Sequence, residues 1–363
     1  MADFSEYTGP SAEWLALERN LPAAPDLTTE QLKAITNKTR EEASAKELSE
    51  HGLDKKVTIT NYTISTRDNS TIEARSYRPI NSDKSNKLPV YIHLHGGGFL
   101  FGTLSSEDAT ASRTIITLAD QGTPIIVFNV NYRHTPEHKY PTAWNDTEDA
   151  FHWLHDHIAE VGGDPENVII GGISAGGWLT ASTVISQHLG TSKELASRPK
   201  IKGQVLLIPA LVHYDSYAPQ LAQLSDPRIS SWVENRDAPV LPYERMKLFT
   251  KLLDIKGGKE VEDDLRLNPG NAKAEQVRGL PPATFGIAGK DPLRDEGLLF
   301  ARLLSENGVP TKTNVFKGLP HGFRRYGEKL SASKRWDEVI VEGIQWALSD
   351  AEPGPFEIRA FES

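Results

Sequence analysis

The sequence contains no cysteine among its 363 residues. A disulfide framework, a cysteine nucleophile and cysteine-ligated metal sites are therefore excluded. The chain also lacks an apolar run of about 18 residues, so no membrane-spanning helix is predicted. Its first six residues, MADFSE, form neither a basic nor an apolar segment, so we expect no secretory signal and a cytoplasmic location.

Basic charge is also scarce in this chain. The 40 Lys and Arg residues are outnumbered by 49 Asp and Glu residues, which gives a net charge of −9. Nucleic acids and anionic membrane surfaces usually require a basic patch, so neither is expected as a partner. The hydrophobic content of 38% is enough to bury a large core. This composition favours a soluble enzyme that acts on a small molecule, and it leaves open whether the chain forms a homodimer.

What the sequence does contain is a strand-turn-helix pattern centred on Ser174. An apolar run at 168–170 precedes the glycine-rich segment 171–177, and a helical pattern opens at Trp178. A serine at the tip of such a sharp turn needs a strained backbone, and the nearby glycines remove side chains that would collide with the strand and the helix. The helix also directs its N-terminal N–H groups to the place where negative charge develops during acyl transfer. A phosphate-binding loop is the alternative, but the required Lys is absent and the glycine spacing is not that of a dinucleotide site.

A serine nucleophile needs a base, and the base needs an orienting acid. Where such a serine turn leads from a strand into a helix of an α/β sheet, we expect both to come later in the chain, each on a loop after a strand. Asp291 follows the predicted strand 283–287, and His321 follows the predicted strand 311–316. We therefore predict that Ser174, Asp291 and His321 are the catalytic residues.

Two other acidic residues compete with Asp291 for this role. Asp295 and Glu296 lie a few positions further along the chain, where the next helix is predicted to begin. An acidic side chain in the first turn of a helix is an ordinary partner of the helix dipole. Asp291 is therefore preferred as the acid.

Five other histidines raise the question of a metal site. His152, His155 and His157 share a predicted helix, but no fourth ligand is nearby, so a solvated helix face is the simpler interpretation. The spacing of His93 and His95 is found in some metallohydrolases, yet three glycines follow instead of further ligands. We therefore predict no metal ion.

The glycine run after His95 has a different interpretation. Gly96, Gly97 and Gly98 come directly after a predicted strand. Their backbone N–H groups can approach a substrate closely and form an oxyanion hole. The imidazole of His95 is then placed to hold the loop. A merely flexible turn is the alternative.

The order of the predicted elements indicates an α/β fold. A hairpin at 57–77 precedes a regular alternation of strands and helices, which is typical of a parallel sheet wound right-handedly, with functional loops at the carboxyl ends of the strands. We predict a mostly parallel, twisted, eight-stranded sheet flanked by helices. The segment 211–254 interrupts the alternation with polar stretches and prolines, so we interpret it as an insertion.

Together these motifs resemble the hormone-sensitive-lipase-like family of α/β-hydrolase esterases. The resemblance implies an α/β-hydrolase core at 51–210 and 255–363, a helical cap built from 1–50 and 211–254, and no cofactor. It also implies an oxyanion hole formed by the N–H groups of Gly97, Gly98 and Ala175. The matching segments arrive in the family's order from about residue 55 onward; they are 95–99, 132–141, 172–177, 291–295 and 321–323.

The function that this resemblance implies is a serine carboxylesterase. Such an enzyme cleaves small-molecule esters of small to medium acyl chain length through an acyl-enzyme. A pathway-specific hydrolase that opens a lactone, removes an acetyl group or cleaves an amide remains an alternative. A non-catalytic small-molecule receptor on the same fold is a third hypothesis, against which the intact set of Ser174, Asp291 and His321 argues.

Overall fold

The computed structural model describes residues 1–22, 27–83, 85–256 and 259–362. In this part of the chain, nine strands form one sheet in the order β1-β2-β4-β3-β5-β6-β7-β8-β9. The β1–β2 and β2–β4 pairs are antiparallel, and all the other pairs are parallel. The strands are Val57–Ser65 (β1), Thr71–Pro79 (β2), Leu88–Leu94 (β3), Ile126–Asn131 (β4), Gly163–Ile173 (β5), Gly203–Leu207 (β6), Ala283–Lys290 (β7), Thr311–Pro320 (β8) and Ile358–Phe361 (β9).

Helices pack on both faces of the sheet. The α-helices of the described residues are Ala12–Glu18 (α1), Thr29–Glu50 (α2), Asp108–Asp120 (α3), Thr142–Asp156 (α4), Ile158–Val161 (α5), Ala175–Leu189 (α6), Lys193–Ala196 (α7), Ala218–Leu221 (α8), Ser231–Glu234 (α9), Tyr243–Leu252 (α10), Lys259–Glu262 (α11), Ala274–Val277 (α12), Arg294–Glu306 (α13) and Ala332–Ala347 (α14). Short 3₁₀ segments are Ser5–Tyr7, Leu53–Lys55, Ser105–Glu107, Tyr214–Ser216, Pro227–Ile229, Pro269–Asn271 and Phe323–Lys329.

The sheet separates two apolar cores. On one face it packs against α4, α6 and α13, and on the other against α3 and α14. Strand β3 contributes to both, since Val90 and Ile92 belong to the first core and Tyr91 to the second. This alternation follows from the two-residue period of a strand, and it fixes which side chains of each strand face which layer.

The predicted α/β fold is confirmed, with one strand more than expected. All eight predicted strands are present, and the hairpin of β1 and β2 lies at one edge of the sheet, as predicted. The ninth strand, Ile358–Phe361, pairs with β8 at the opposite edge. Its four residues are too few to show a periodic pattern, so the sequence analysis missed it.

The predicted helix that carries His152, His155 and His157 is divided in the structure. Helix α4 ends at Asp156, and a separate short helix, α5, follows. His155 is buried against the ring of Phe151, and His157 stacks on Trp153, so the interpretation of these histidines as a solvated face is wrong. Helix α13 begins at Arg294, so Asp295 and Glu296 lie in its first turn, as expected.

The connection between β6 and β7 is irregular, and the segment 211–254 lies within it. It contains the short helices α8 to α12, and the sheet resumes at Ala283, where the sequence analysis placed the next strand. At the N-terminus, Trp14 is fully buried and packs edge-on against Tyr326 at 5.4 Å, whereas Leu15 is exposed.

Among the described residues, no helix combines the length and the hydropathy that a membrane span requires.

Candidate active site

Ser174 forms a sharp turn between β5 and α6. Its backbone angles, φ 57° and ψ −114°, lie in a region that residues other than glycine rarely adopt. The Ser174 N–H donates to the carbonyl of Leu207 on β6 at 2.8 Å, and the Ser174 carbonyl accepts from the N–H of Trp178 at 3.1 Å. The neighbouring strand and the following helix therefore hold the strained turn from both sides.

The glycines around Ser174 are required by close backbone contacts. A Cβ atom at Gly172 would lie 2.3 Å from the carbonyl carbon of Gly176. A Cβ atom at Gly176 would lie 2.0 Å from the carbonyl oxygen of Leu94, at the end of β3. No side chain fits at either position, so the glycine spacing reflects how closely α6 approaches the sheet.

The three predicted catalytic side chains meet at the carboxyl ends of β5, β7 and β8. Nε2 of His321 lies 2.9 Å from the Ser174 hydroxyl, and Nδ1 of His321 lies 2.7 Å from Oδ2 of Asp291. All three side chains are buried. The second oxygen of Asp291 accepts from the N–H of Leu293 at 2.9 Å, which fixes the orientation of the carboxylate. Nδ1 of His321 therefore donates to Asp291, and Nε2 is left to accept from the serine.

The rival acids do not reach His321. Asp295 accepts from the N–H of Ser231 at 2.6 Å, and Glu296 accepts from the N–H of Leu211 at 2.5 Å. Both are buried, so the expectation that they are ordinary charges at a helix N-terminus is wrong. Burial raises the pKa of Glu296 well above its usual range, and the nearby Asp291 charge raises it further. These two carboxyl groups anchor the 211–254 segment instead.

Arg294 is a site-supporting residue that the sequence analysis missed. Its guanidinium is fully buried and binds Asp295 at 2.9 Å, Glu234 of α9 at 2.9 Å, and the hydroxyl of Thr8. It therefore joins the N-terminal segment and the 211–254 segment to the loop that carries Asp291. Arg294 lies within segment 291–295, and the match of this segment to the family was the sequence signal that could have identified the residue.

The glycine loop after β3 exposes backbone N–H groups beside Ser174. Gly97 has φ 150° and Gly98 has φ 61°, and a Cβ atom at Gly97 would lie 2.1 Å from the carbonyl oxygen of Phe101. Among the described residues, no protein atom accepts from the N–H groups of Gly97, Gly98 or Ala175. These three donors are therefore available to a ligand.

His95 lies buried under this loop. Its ring stacks on Tyr132 with centroids 4.4 Å apart, and Nδ1 lies 3.3 Å from the Gly96 carbonyl. Burial lowers the pKa of His95 to about 4, with a smaller contribution from the charge of Arg40, so the ring is neutral near pH 7. The Tyr132 hydroxyl donates to the His95 carbonyl at 2.6 Å. These contacts fit the predicted supporting role of His95.

The His93 and His95 side chains do not form a common metal site. Nε2 of His93 lies 3.0 Å from Glu107, which in turn pairs with Arg40 of α2 at 2.7 Å. The same arginine donates to the carbonyl of Gly96 at 2.9 Å, a support that nothing in the local sequence suggested. In the described ranges, no group of three His, Asp or Glu side chains is placed to hold a metal ion.

A serine on a strained strand-to-helix turn, bonded to a histidine that is oriented by a carboxylate, is the arrangement of serine hydrolases. Here the three residues follow in the chain order of the α/β-hydrolase sheet.

Comparisons with known proteins agree with this class. A family profile described as alpha/beta hydrolase fold matches residues 91–325. Esterase LipI of Mycobacterium tuberculosis is 33% identical over 265 residues, which cover 72% of this chain and 74% of the relative. The crystal structure of vibralactone cyclase superimposes with a TM-score of 0.82 at 25% identity, over 95% of this chain and 97% of that one. A bacterial heroin esterase gives a TM-score of 0.75 at 25% identity, over 95% and 99%. The chain belongs to the α/β-hydrolase family, in its hormone-sensitive-lipase-like branch of ester hydrolases.

Proposed function

We propose that this protein is a serine carboxylesterase that cleaves small-molecule esters through an acyl-enzyme. The observation that carries the proposal is the continuous hydrogen-bonded chain from Ser174 through His321 to Asp291, with distances of 2.9 and 2.7 Å. Similarity to proteins named as esterases supports the reaction class.

The geometry suits two successive acyl transfers. As the Ser174 oxygen bonds to the ester carbonyl carbon, its proton moves to Nε2 of His321, and Asp291 stabilises the resulting imidazolium. The tetrahedral intermediate then expels the alcohol, which takes that proton from His321. Water attacks the acyl-enzyme by the same route and gives a proton to His321. As the bond between the acyl carbon and the Ser174 oxygen breaks, His321 returns that proton to Ser174 and the carboxylic acid leaves.

The N–H groups of Gly97, Gly98 and Ala175 serve as the oxyanion hole in this proposal. They have no acceptor in the described protein, and Ala175 begins α6, whose positive dipole end adds to the stabilisation. Fixed donors of this kind commonly contribute about 10²- to 10³-fold in kcat each.

The acyl chains accepted are of small to medium length. The ring of Phe249, on α10, lies over the glycine loop, packing edge-on against Phe101 at 5.6 Å, and a Cβ atom at Gly98 would meet it at 2.2 Å. We assign residues 1–50 and 211–254 to a cap over the active site, in which the Phe249 ring limits the space for the acyl chain. In a series of p-nitrophenyl esters, kcat/KM of the Phe249→Ala variant should peak at a longer acyl chain than that of the wild type. An unchanged dependence of kcat/KM on chain length would mean that Phe249 does not limit the acyl chain.

Lactone chemistry is the second candidate, because the protein resembles vibralactone cyclase over nearly its whole length. The same serine and base can attack a cyclic ester without change of roles. Comparing kcat/KM for a lactone and for its open-chain ester tests this directly. A strong preference for the lactone would favour this candidate.

Ser174→Ala tests the main proposal. We expect kcat to fall about 10³-fold or more, with the fold retained, because only a hydroxyl is removed. Ser112→Ala is a matched control, since Ser112 is also buried and its hydroxyl has no partner in the described structure. A fluorophosphonate should label the wild type and fail to label Ser174→Ala. Near-normal turnover by Ser174→Ala would refute the serine mechanism.

The cytoplasmic location and the oligomeric state are separate expectations. Cell fractionation tests the first, and light scattering after size-exclusion chromatography measures the second.

A further inference from the structure

Arg325 lies four residues after His321, in the 3₁₀ segment Phe323–Lys329. Its Nε donates to the carbonyl of Gly322 at 3.2 Å, which folds the guanidinium back beside the histidine loop. The side chain is exposed to solvent. Among the described residues, no carboxylate is close enough to Arg325 to form an ion pair.

Two other arginines near the site, Arg324 and Arg40, have carboxylate partners. Arg324, the adjacent residue, binds Asp337 through two bonds of 2.8 and 2.9 Å. Arg40 pairs with Glu107 at 2.7 Å. Among the described residues, Arg325 differs from these two arginines in having no carboxylate partner.

Arg245 is a second arginine of this kind, on α10. Its Nη1 donates to the Val240 carbonyl at 3.1 Å, and it also makes no ion pair within the described residues. Phe249 lies four positions further along the helix, so the two side chains share one face. Because Phe249 packs over Gly98, that face is directed toward the glycine loop.

Arg40 and Arg245 are close enough to Arg325 for their positive charges to act on it. Although the Arg325 side chain contacts water, loss of hydration beside the surrounding protein lowers its pKa to about 10, and the charges of Arg40 and Arg245 account for part of that lowering. Arg40 binds the Gly96 carbonyl, so the group of arginines borders the glycine loop. This positive region belongs to a chain with a net charge of −9. Mutual repulsion of like charges in a cleft is relieved when an anion binds there.

We propose that Arg325 and Arg245 bind a carboxylate of the substrate, so that the preferred esters of this enzyme carry a negative charge. The guanidinium fork matches a carboxylate with two parallel hydrogen bonds. The proposal rests on the proposed esterase function. It specifies the substrate class of the same site, and Arg325 and Arg245 as the residues that select it.

Two pairs of esters test the proposal and locate the carboxylate. On the acyl side, p-nitrophenyl hydrogen adipate is compared with p-nitrophenyl hexanoate. On the alcohol side, 4-hexanoyloxybenzoate is compared with 4-hexanoyloxybenzamide. In one of the pairs, the wild type should have the higher kcat/KM for the anionic ester, chiefly through a lower KM. The ratio of anionic to neutral kcat/KM should fall about tenfold in Arg325→Gln.

Further variants separate charge recognition from a structural effect. Arg325→Lys should keep part of the ratio, Arg245→Gln should lower it, and Arg325→Glu should shift the preference toward an ester with a trimethylammonium group. Arg302→Gln is the control, because Arg302 lies on α13 and pairs with Glu306 on the surface. In the wild type, the ratio should also fall when the salt concentration rises from about 20 to about 500 mM, since ions screen exposed charges.

The outcomes distinguish this inference from the proposed function. Equal losses on anionic and neutral esters in Arg325→Gln, with a wild-type ratio that salt does not change, would overturn the carboxylate proposal. If none of the four esters is hydrolysed, or if hydrolysis does not depend on Ser174, the esterase proposal itself fails.

Discussion

The turn at Ser174 and the glycine loop at Gly96–Gly98 lie at the carboxyl ends of neighbouring strands, yet they are stabilised in different ways. The Ser174 turn is held by main-chain hydrogen bonds to β6 and within its own helix. The glycine loop is held mainly by side chains of α2, a helix roughly 60 residues earlier in the sequence. Local sequence therefore determines the Ser174 turn, whereas the glycine loop depends on the docking of a helix that is distant in the sequence.

The contacts of α2 lie at the first residue of the glycine loop and in the segment that follows it. The Asn37 side chain accepts from the N–H of Gly102 at 2.9 Å, and Glu41 accepts from the Thr103 hydroxyl at 2.7 Å. Arg40, between them, binds the Gly96 carbonyl. Substitutions in the triad should therefore affect proton transfer at Ser174 and His321. Substitutions in α2 should instead affect the placement of the N–H donors of the oxyanion hole.

The largest effect is expected at Asp291. Asp291→Asn should lower kcat about 10³- to 10⁴-fold with little loss of stability, because a neutral amide neither holds His321 in the tautomer with a proton on Nδ1 nor stabilises its imidazolium form. Asp295→Asn should instead lower the melting temperature, because Asp295 binds Ser231 and Arg294 and does not touch His321. Steady-state kinetics and thermal unfolding of both variants measure this contrast. The reverse ranking of their kcat values would assign the acid to Asp295.

A smaller loss is expected from the glycine loop. Gly97→Val should lower kcat about 10²-fold or more, because its side chain would collide with the Phe101 carbonyl and displace the N–H donors. Gly354→Val is the control, since a Cβ atom there meets nothing within 4 Å. Kinetics on a neutral p-nitrophenyl ester measure both. Full activity of Gly97→Val would place the oxyanion hole elsewhere.

The sequence predicted the parts of the site whose chemistry is local. A glycine pattern reports backbone crowding directly, so the turn at Ser174 and the positions of Asp291 and His321 could be predicted from motifs and strand order. Arg40 and Arg294 could not be predicted in this way, because their partners are brought close only by tertiary packing. For the same reason, the burial of Asp295 and Glu296 was not foreseen.

The strands of the sheet also differ in how well the sequence predicted them. Buried central strands such as β4 and β6 appear as continuous apolar runs and were found, whereas the four-residue edge strand β9 was not.

The distant support of the glycine loop is tested at Arg40. Arg40→Gln should lower kcat about tenfold, since it removes a charged hydrogen bond to the Gly96 carbonyl and leaves Glu107 without that partner. Lys38→Gln, on the exposed face of the same helix, should leave kcat unchanged. If the two variants have equal kcat, α2 covers the glycine loop without positioning it.

The smallest effect concerns stability and comes from Glu296, which anchors Leu211 beside the triad. Its pKa in the folded protein is raised well above the ordinary value of 4.5. Between these two pKa values, the carboxyl group is protonated in the folded protein and ionised in the unfolded chain. The group therefore lowers the free energy of unfolding increasingly as the pH rises from about 4.5 to the pKa of the folded protein. Glu296→Gln imitates the protonated carboxyl and still offers an oxygen to the Leu211 N–H.

Relative to the wild type, Glu296→Gln should gain on the order of 1 kcal/mol in the free energy of unfolding between pH 5 and pH 8. Urea unfolding at several pH values measures this gain. Glu306→Gln, on the exposed part of the same helix, is the control and should show a difference from the wild type that does not grow with pH. If Glu296→Gln instead loses stability relative to the wild type as the pH rises, Glu296 is ionised in the folded protein, and its charge stabilises the Leu211 turn.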